Sequence, residues 1–309
     1  MAQVASEIRR RLQSLEDIRH LLRSIRAMSA IRWRRARVRL QSAQKYAAAV
    51  DHQLALVTTF STPLTRGARN SSRTASEAER SVGLIALTSD RGLCGPFNVG
   101  LVAHALDFIE RERERGKEIK VIALGEYGER FFRRADCELL HTQRFPLTHA
   151  ISFVEARDII ARVKRFYETR AFDTLYLIYN QFVSFGRYQR VEMRLLPPDL
   201  TAVWRSQKPG FSEKTVRLSS PKSRFLILGT PPQDLQDFLL WEHLAMQVYL
   251  ALIESMVSEQ GARLQTMDAA IANLDERVEQ LQLQYHSIRQ ESITREVLEM
   301  QSNTRVRAR

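Results

Sequence analysis

Proline is absent from the first 62 and the last 77 residues of this 309-residue chain, and glycine occurs there once, at Gly261. All nine prolines and eleven of the twelve glycines fall between Pro63 and Pro232. Without breakers the two ends can run as long uninterrupted helices, while the middle carries the turn chemistry of a domain of short elements. Cysteine is nearly missing. Cys94 and Cys137 stand 43 residues apart in no metal-ligand spacing, which argues against a disulfide framework and reads as two reduced, partly buried thiols. No run of about 18 apolar residues exists, so no membrane-spanning helix is expected. The opening MAQVASEIRRR has no apolar core and cleavage site of a secretory signal, and Glu7, Glu16 and Asp17 argue against a transit peptide.

What is present is charge, unevenly spread. The formal net charge of +12 divides into +8 over residues 1–62, +9 over 63–232 and −5 over 233–309. With 44% apolar residues the chain has material for a core and for one or two domains.

The first wing is expected to be helical throughout. Leu12, Leu15, Ile18, Leu22 and Ile25, then Ala36, Leu40, Ala43, Ala47, Val50, Leu54 and Val57, fall on one stripe, narrow and rich in small residues. The last wing is more regular. From Leu239 through His243, Met246, Leu250, Ile253, Val257, Gln260, Leu264, Met267, Ile271, Leu274, Val278 and Leu281 to Tyr285 and Ile288, steps of four and three alternate without a break. That 3.5-residue repeat is a left-handed coiled-coil seam. A helix over about 235–300 would be roughly 100 Å long, too long for a domain of this size to cover alone. The basic first wing is its natural mate, giving an antiparallel coiled coil of the two chain ends with the middle domain at its side. Gly261 lies within this helix and marks either the close approach of another helix or nothing.

The middle alternates short apolar runs with helices. Strands are expected at Val82–Thr88, Lys120–Leu124, Leu175–Phe182, Val191–Leu196 and Arg224–Leu228, and helices at Asn98–Arg115, Glu126–Arg134 and Ser152–Arg170. This is an α/β domain with a mostly parallel sheet in Rossmann-like layers. The boundaries read 1–62 for the N-terminal helix, 63–80 for a polar linker, 81–232 for the α/β domain and 233–309 for the C-terminal helix with its polar basic tail.

Chemistry-bearing motifs are few. SDRGLCGPFN (Ser89–Asn98) and GEYGER (Gly125–Arg130) each place Gly-x-x-Gly before a helix, but neither has the Gly-Lys-Ser/Thr ending of a phosphate loop. No metal cluster, catalytic motif or cofactor site is expected. Glu110, Glu112 and Glu114 alternate with Arg111, Arg113 and Arg115, which reads as a solvated, self-paired helix end. His243 reads as a packing residue of the seam. In RWRRARVR (Arg32–Arg39) five arginines surround Trp33; the run suits phosphate contacts with an aromatic stack, a solvated helix face, or docking onto acidic protein surfaces.

Taken together these pieces resemble the gamma subunit of rotary F-type ATP synthases. EIRRRLQSLEDIRHLLRSIRAM is similar to that family's opening helix, TSDRGLCGPFN to its most characteristic internal motif (Asp90, Arg91, Gly92, Leu93, Cys94 and Gly95), and LYLIYNQF to a core strand. SEQGARLQTMDAAIANL and LQLQYHSIRQESITREVLEM resemble its C-terminal helix. The resemblance implies a non-catalytic rotor stalk without cofactors, coupling ion flow (proton or sodium) through a membrane c-ring to the alpha/beta hexamer. An epsilon-type subunit would be a further partner, no nucleic acid is expected, and the place would be the cytoplasmic side of a bacterial or archaeal plasma membrane. It implies that Arg263, Arg289, Gln290, Thr294 and Glu296 contact beta-subunit loops or stabilise the coupling interface. It also implies that the GLCG turn lies near the epsilon-type subunit and the ring. Two departures, RSIRAMSAIR (Arg23–Arg32) and the polar tail VLEMQSNTRVRAR, point to a divergent, alternate version of the family. Two other readings compete: an arginine-rich coiled-coil nucleic-acid-binding or scaffold protein, and an α/β enzyme binding nucleotide at Asp90–Gly95.

Overall fold

A computed structural model of the chain describes residues 2–60, 80–145, 151–198 and 231–307. Two helices dominate it: α1 (Ala2–Phe60) and a last helix, α5 (Pro232–Arg307). At 59 and 76 residues they are about 90 and 115 Å long. Pro232 sits in the first turn of α5, where its missing N–H costs nothing. The polar tail continues as helix to Arg307.

The helices are antiparallel and in register. Arg19 pairs with Asp275; seven residues further along α1, Arg26 pairs with Asp268, seven residues back along α5. The same register carries Asp51 to His243, whose Nδ1 lies 2.6 Å from the Asp51 carboxylate. His243 thus packs in the seam as expected. The charge complementarity is real but sparse: among the described residues the cross-pairs are Arg19–Asp275, Arg26–Asp268 and Asp51–His243, the last with its acid on α1.

In chain order between the two helices comes a sheet of β1 (Ser81–Leu87), β2 (Glu118–Leu124), β3 (Glu138–Gln143), β4 (Thr174–Ser184) and β5 (Arg187–Leu196), in the order β3-β2-β1-β4-β5. The first four are parallel and β5 returns antiparallel from β4. Helices α2 (Phe97–Glu114), α3 (Glu126–Arg134) and α4 (Phe153–Glu168) make the crossovers. α4 opens on a capping box: the Ser152 side chain accepts from the Glu155 amide while Glu155 accepts from the Ser152 amide.

Alternation along β1 explains the layers. Val82, Leu84 and Ala86 pack with Leu101, Ala105 and Phe108 of α2 and Phe132 of α3. Ile85 and Leu87 face the other way, with Ile159 and Val163 of α4 and Leu244, Val248 and Leu252 of α5. One stretch of α5 is therefore both half of the helical pair and a covering layer of the sheet.

One strand was missed and two expectations are refined. Strand β3 was not anticipated. Glu112 is not part of a solvated helix end: it is buried, 2.8 Å from Lys117 Nζ and 2.5 Å from Arg115 Nη1. Burial pushes its carboxyl up, but the hydrogen bonds and charges of Lys117 and Arg115 outweigh that and hold it below the usual value. And Gly261 does mark a close approach, of the β4–β5 turn at Gly186 and of the Trp33 side chain on α1. The strand expected at 224–228 and most of the linker lie outside the described residues.

Candidate functional site

The sheet reverses its winding between β1 and β4, the place where open α/β sheets ordinarily leave a crevice for a ligand beyond the strand ends. Here that crevice is filled. Thr88, Ser89 and Asp90 leave β1 directly against Leu252, Ser255, Met256, Glu259 and Gln260 of α5, leaving a cavity of about 40 Å³. A small-molecule pocket is typically several hundred Å³.

The helix start beside it is also occupied. The first amides of α3 would be the donors of a phosphate site. Glu126 N–H instead donates to Asp90 Oδ1 (2.9 Å), Tyr127 N–H to the Ser89 carbonyl (3.2 Å) and Gly128 N–H to Thr88 Oγ1 (2.9 Å). Gly125 holds φ +102° with the Thr88 carbonyl pressed against it, so its glycine serves chain packing rather than ligand approach. Burial pushes the Asp90 carboxyl up, against the opposing pull of backbone hydrogen bonds from Glu126 and Phe145.

The turn Asp90–Gly95 is held from within as well. The Asn98 carboxamide accepts from Ser89 N–H (3.0 Å) and donates to Ser89 Oγ (2.7 Å), closing the loop on the start of α2. Cys94 is a free, buried thiol, its pKa raised mainly by burial and next by the Glu259 charge. Leu93 stands at φ +62°, 59% exposed, and Arg91 and Gly92 are exposed beside it.

Arg263 is the residue that joins this turn to the long helices. It is buried, its Nη2 2.7 Å from Glu259 Oε1 one helical turn earlier and 3.2 Å from the carbonyl of Gly92. Burial raises the Glu259 carboxyl, Arg263 partly offsets that, Asp90 adds to it and Arg32 of α1 lowers it. Sequence reasoning singled out Arg263 and missed Glu259. The signal was its i,i+4 spacing to Arg263.

The remaining expected residues lie elsewhere. Arg289, Gln290 and Thr294 are exposed on α5, roughly 40 Å beyond Arg263, with Thr294 Oγ1 donating to the Gln290 carbonyl at 2.9 Å. Glu296 lies on the same helix, outside the residues whose side chains are described. The structure therefore joins Arg263 to Gly92, and does not bring the others to them. Of the arginine run, Arg34, Arg35 and Arg39 are exposed with no ion pair among the described residues, while Arg37 lies over the Trp33 ring at 5.3 Å.

An α/β domain whose ligand crevice is filled by one of two long paired helices defines a stalk-like protein with a side domain. Comparison with known proteins agrees. The model of the family described as ATP synthase matches residues 5–304. The ATP synthase gamma chain of Desulforudis audaxviator is 31% identical over 95% of this chain and 96% of its own. That of Anaeromyxobacter dehalogenans is 30% identical, with the same coverage. Among solved structures, a chain of the Euglena gracilis mitochondrial ATP synthase OSCP/F1/c-ring assembly superimposes with a TM-score of 0.63 at 16% identity, covering 98% of this chain and 94% of its own, and so shares the fold. The chain belongs to the ATP synthase gamma chain family.

Proposed function

We propose that this chain is the central rotor stalk of an F-type ATP synthase, turning inside an alpha/beta hexamer and seated on a membrane c-ring with an epsilon-type subunit at its side. The observation that carries the reading is the distal half of the helical pair. It projects well beyond the α/β domain and shows apolar side chains to solvent: Val4, Ile18, Leu21 and Met28 on α1, and Leu283 and Ile293 on α5. A two-helix shaft shielded only along its seam suits a surrounding sleeve. No helix among the described residues is long and apolar enough to cross a membrane, which fits a peripheral part of a membrane complex.

Arg289, Gln290, Thr294 and Glu296 are assigned to contacts with the surrounding beta subunits. Arg263, being buried, is assigned to stabilising the interface from within. The exposed Arg34, Arg35 and Arg39 are assigned to acidic stator surfaces. By this reading the chain supplies orientation rather than chemistry: each azimuth of the asymmetric shaft favours a different state at each nucleotide site, a coupling free energy between distant sites.

The test is reconstitution with alpha, beta and ring subunits. Ion-coupled ATP synthesis should require this chain, and the double variant Arg289→Ala/Gln290→Ala should lower it at least several-fold. Unchanged synthesis in that variant would remove the assigned contact. Tight, steeply salt-dependent RNA binding by the chain, without assembly, would favour the nucleic-acid reading instead.

A further inference from the structure

A rotor whose shaft is driven at one end and whose side domain is engaged at the other must transmit torque across the joint between them. The joint grips both helices. The β4–β5 hairpin reaches over α5 and its Phe185 ring meets the Trp33 ring of α1 edge-on, centroids 5.1 Å apart. Phe182, on the same hairpin, packs on the α1–α5 cluster of Ala36, Leu40, Ala43, Ile253 and Val257. The turn itself is seated on α5. Gly186, at φ +70°, lies against the Gln265 side chain, and a Cβ on Gly261 would stand 3.4 Å from the Gly186 amide nitrogen and 3.6 Å from Trp33 Nε1.

Thirteen residues along α1, about 20 Å, a second grip forms: Tyr46 meets Phe153 of α4 edge-on at 6.0 Å. Trp33 Nε1 is buried with no hydrogen-bond partner among the described residues, and ring packing holds the indole there. Contacts to one helix alone would let the domain swivel about it. Contacts to two helices, at two levels, oppose both swivel and tilt.

We propose that the β4–β5 hairpin is a clip that carries torque between the α/β domain and the helical pair, with Trp33 and Phe185 as its positioning residues and Gly261 as its seat. The proposal rests on the rotor reading for its function, and on the chain alone for its geometry. Gly261 is diagnostic. An alanine Cβ fits there in ordinary contact, so Gly261→Ala should leave the clip closed; Gly261→Val has no room and should lift the hairpin.

The first measurement needs only the full chain. In Trp33→Ala/Phe185→Ala, and in Gly261→Val, amide hydrogen exchange at the β4–β5 turn should accelerate at least ten-fold while β1 and β2 stay protected. Gly261→Ala should match wild type. Unchanged exchange at the turn would overturn the clip whatever the chain's function. The second uses the reconstituted enzyme. With a bead on the α/β domain, the double variant should keep the step angle and ATP hydrolysis but lower torsional stiffness and ion pumping per ATP at least two-fold. A short bis-maleimide bridge between Trp33→Cys and Phe185→Cys should restore both. A loosened turn with stiffness and pumping unchanged would overturn the torque role. Failure of the wild-type chain to assemble would instead strike the rotor reading.

Discussion

Two halves of one helical pair are built on different terms. Between Leu244 and Leu264, α5 is buried nearly all round, by α1 on one side and by β4, α4 and the strand ends on the other. Beyond Met267 only the seam is shielded: Val278 and Leu281 are buried and Ile271, Leu274, Tyr285 and Ile288 half-buried, with the rest of the surface open. The partner stretches of α1 differ in the same way, with Ala36, Leu40, Ala43, Ala47, Val50, Leu54 and Val57 buried, but, among the described residues, only Ile8 and Ser29 buried before them. The proximal half is the core of a domain. The distal half is a two-stranded coiled coil shielded only along its seam. A single regular repeat thus serves two structural roles, and what differs is the surroundings.

The contrast is broken most severely at Arg263. Arg263→Ala leaves Glu259 buried without its partner and frees the Gly92 carbonyl, and should cost about 3–5 kcal/mol in denaturant unfolding. Leu252→Ala, in the core shared by α5 and the sheet, should cost about 2–5 kcal/mol, whereas Leu283→Ala on the distal half should stay within about 0.5 kcal/mol for the isolated chain. Ser152→Ala, which removes the capping box of α4, should cost about 1 kcal/mol. Arg26→Ala, breaking an exposed distal pair with Asp268, should cost less than about 1 kcal/mol and lose even that in high salt.

Two buried glutamates, one on the proximal half of α5 and one on α2, should give opposite responses to pH. Glu259 has a folded pKa raised above its unfolded value, chiefly by burial. Such a group contributes stability that is fully present below the unfolded pKa and is lost as pH rises through the folded one. Unfolding free energy measured upward from the ordinary glutamate range should therefore contain a falling component that Glu259→Gln removes. Glu112 has the opposite sign: its lowered pKa contributes stability above the unfolded value that is lost as pH falls through the folded one, and Glu112→Gln should flatten the acid limb.

Much of this arrangement was legible in the residues. The breaker-free ends and the unbroken 3.5-residue repeat predicted two long paired helices, and the seam reading holds best from Met267 onward, where no other element confuses the stripe. Over Leu239–Leu264 the same seam residues face α1 while the rest of the helix is covered by the sheet domain. The helix Glu126–Arg134 was legible to the residue, and β1, β2 and β4 nearly so, because strands buried on both faces appear as continuous apolar runs. β3 was not, since ELLHTQ has neither alternation nor an apolar run and its residues are mostly half-buried at the sheet edge. Glu112 was misread because its partner Lys117 lies beyond the helix end, where no i,i+4 rule looks. The link from Arg263 to Gly92 spans 171 residues and ends on a carbonyl, a group every residue has. No composition or spacing marks such a contact.

The central claim, that the distal pair is completed by a surrounding partner while the proximal pair is complete in itself, is tested most directly by hydrogen exchange on the chain alone and in the reconstituted complex. In the isolated chain the amides of residues 244–264 should be protected, and those of 275–295 should exchange at least a hundred-fold faster. Assembly with the alpha/beta hexamer should slow the distal amides and leave the proximal ones unchanged. Equal protection of both halves in the isolated chain, or distal amides unaffected by assembly, would contradict the account.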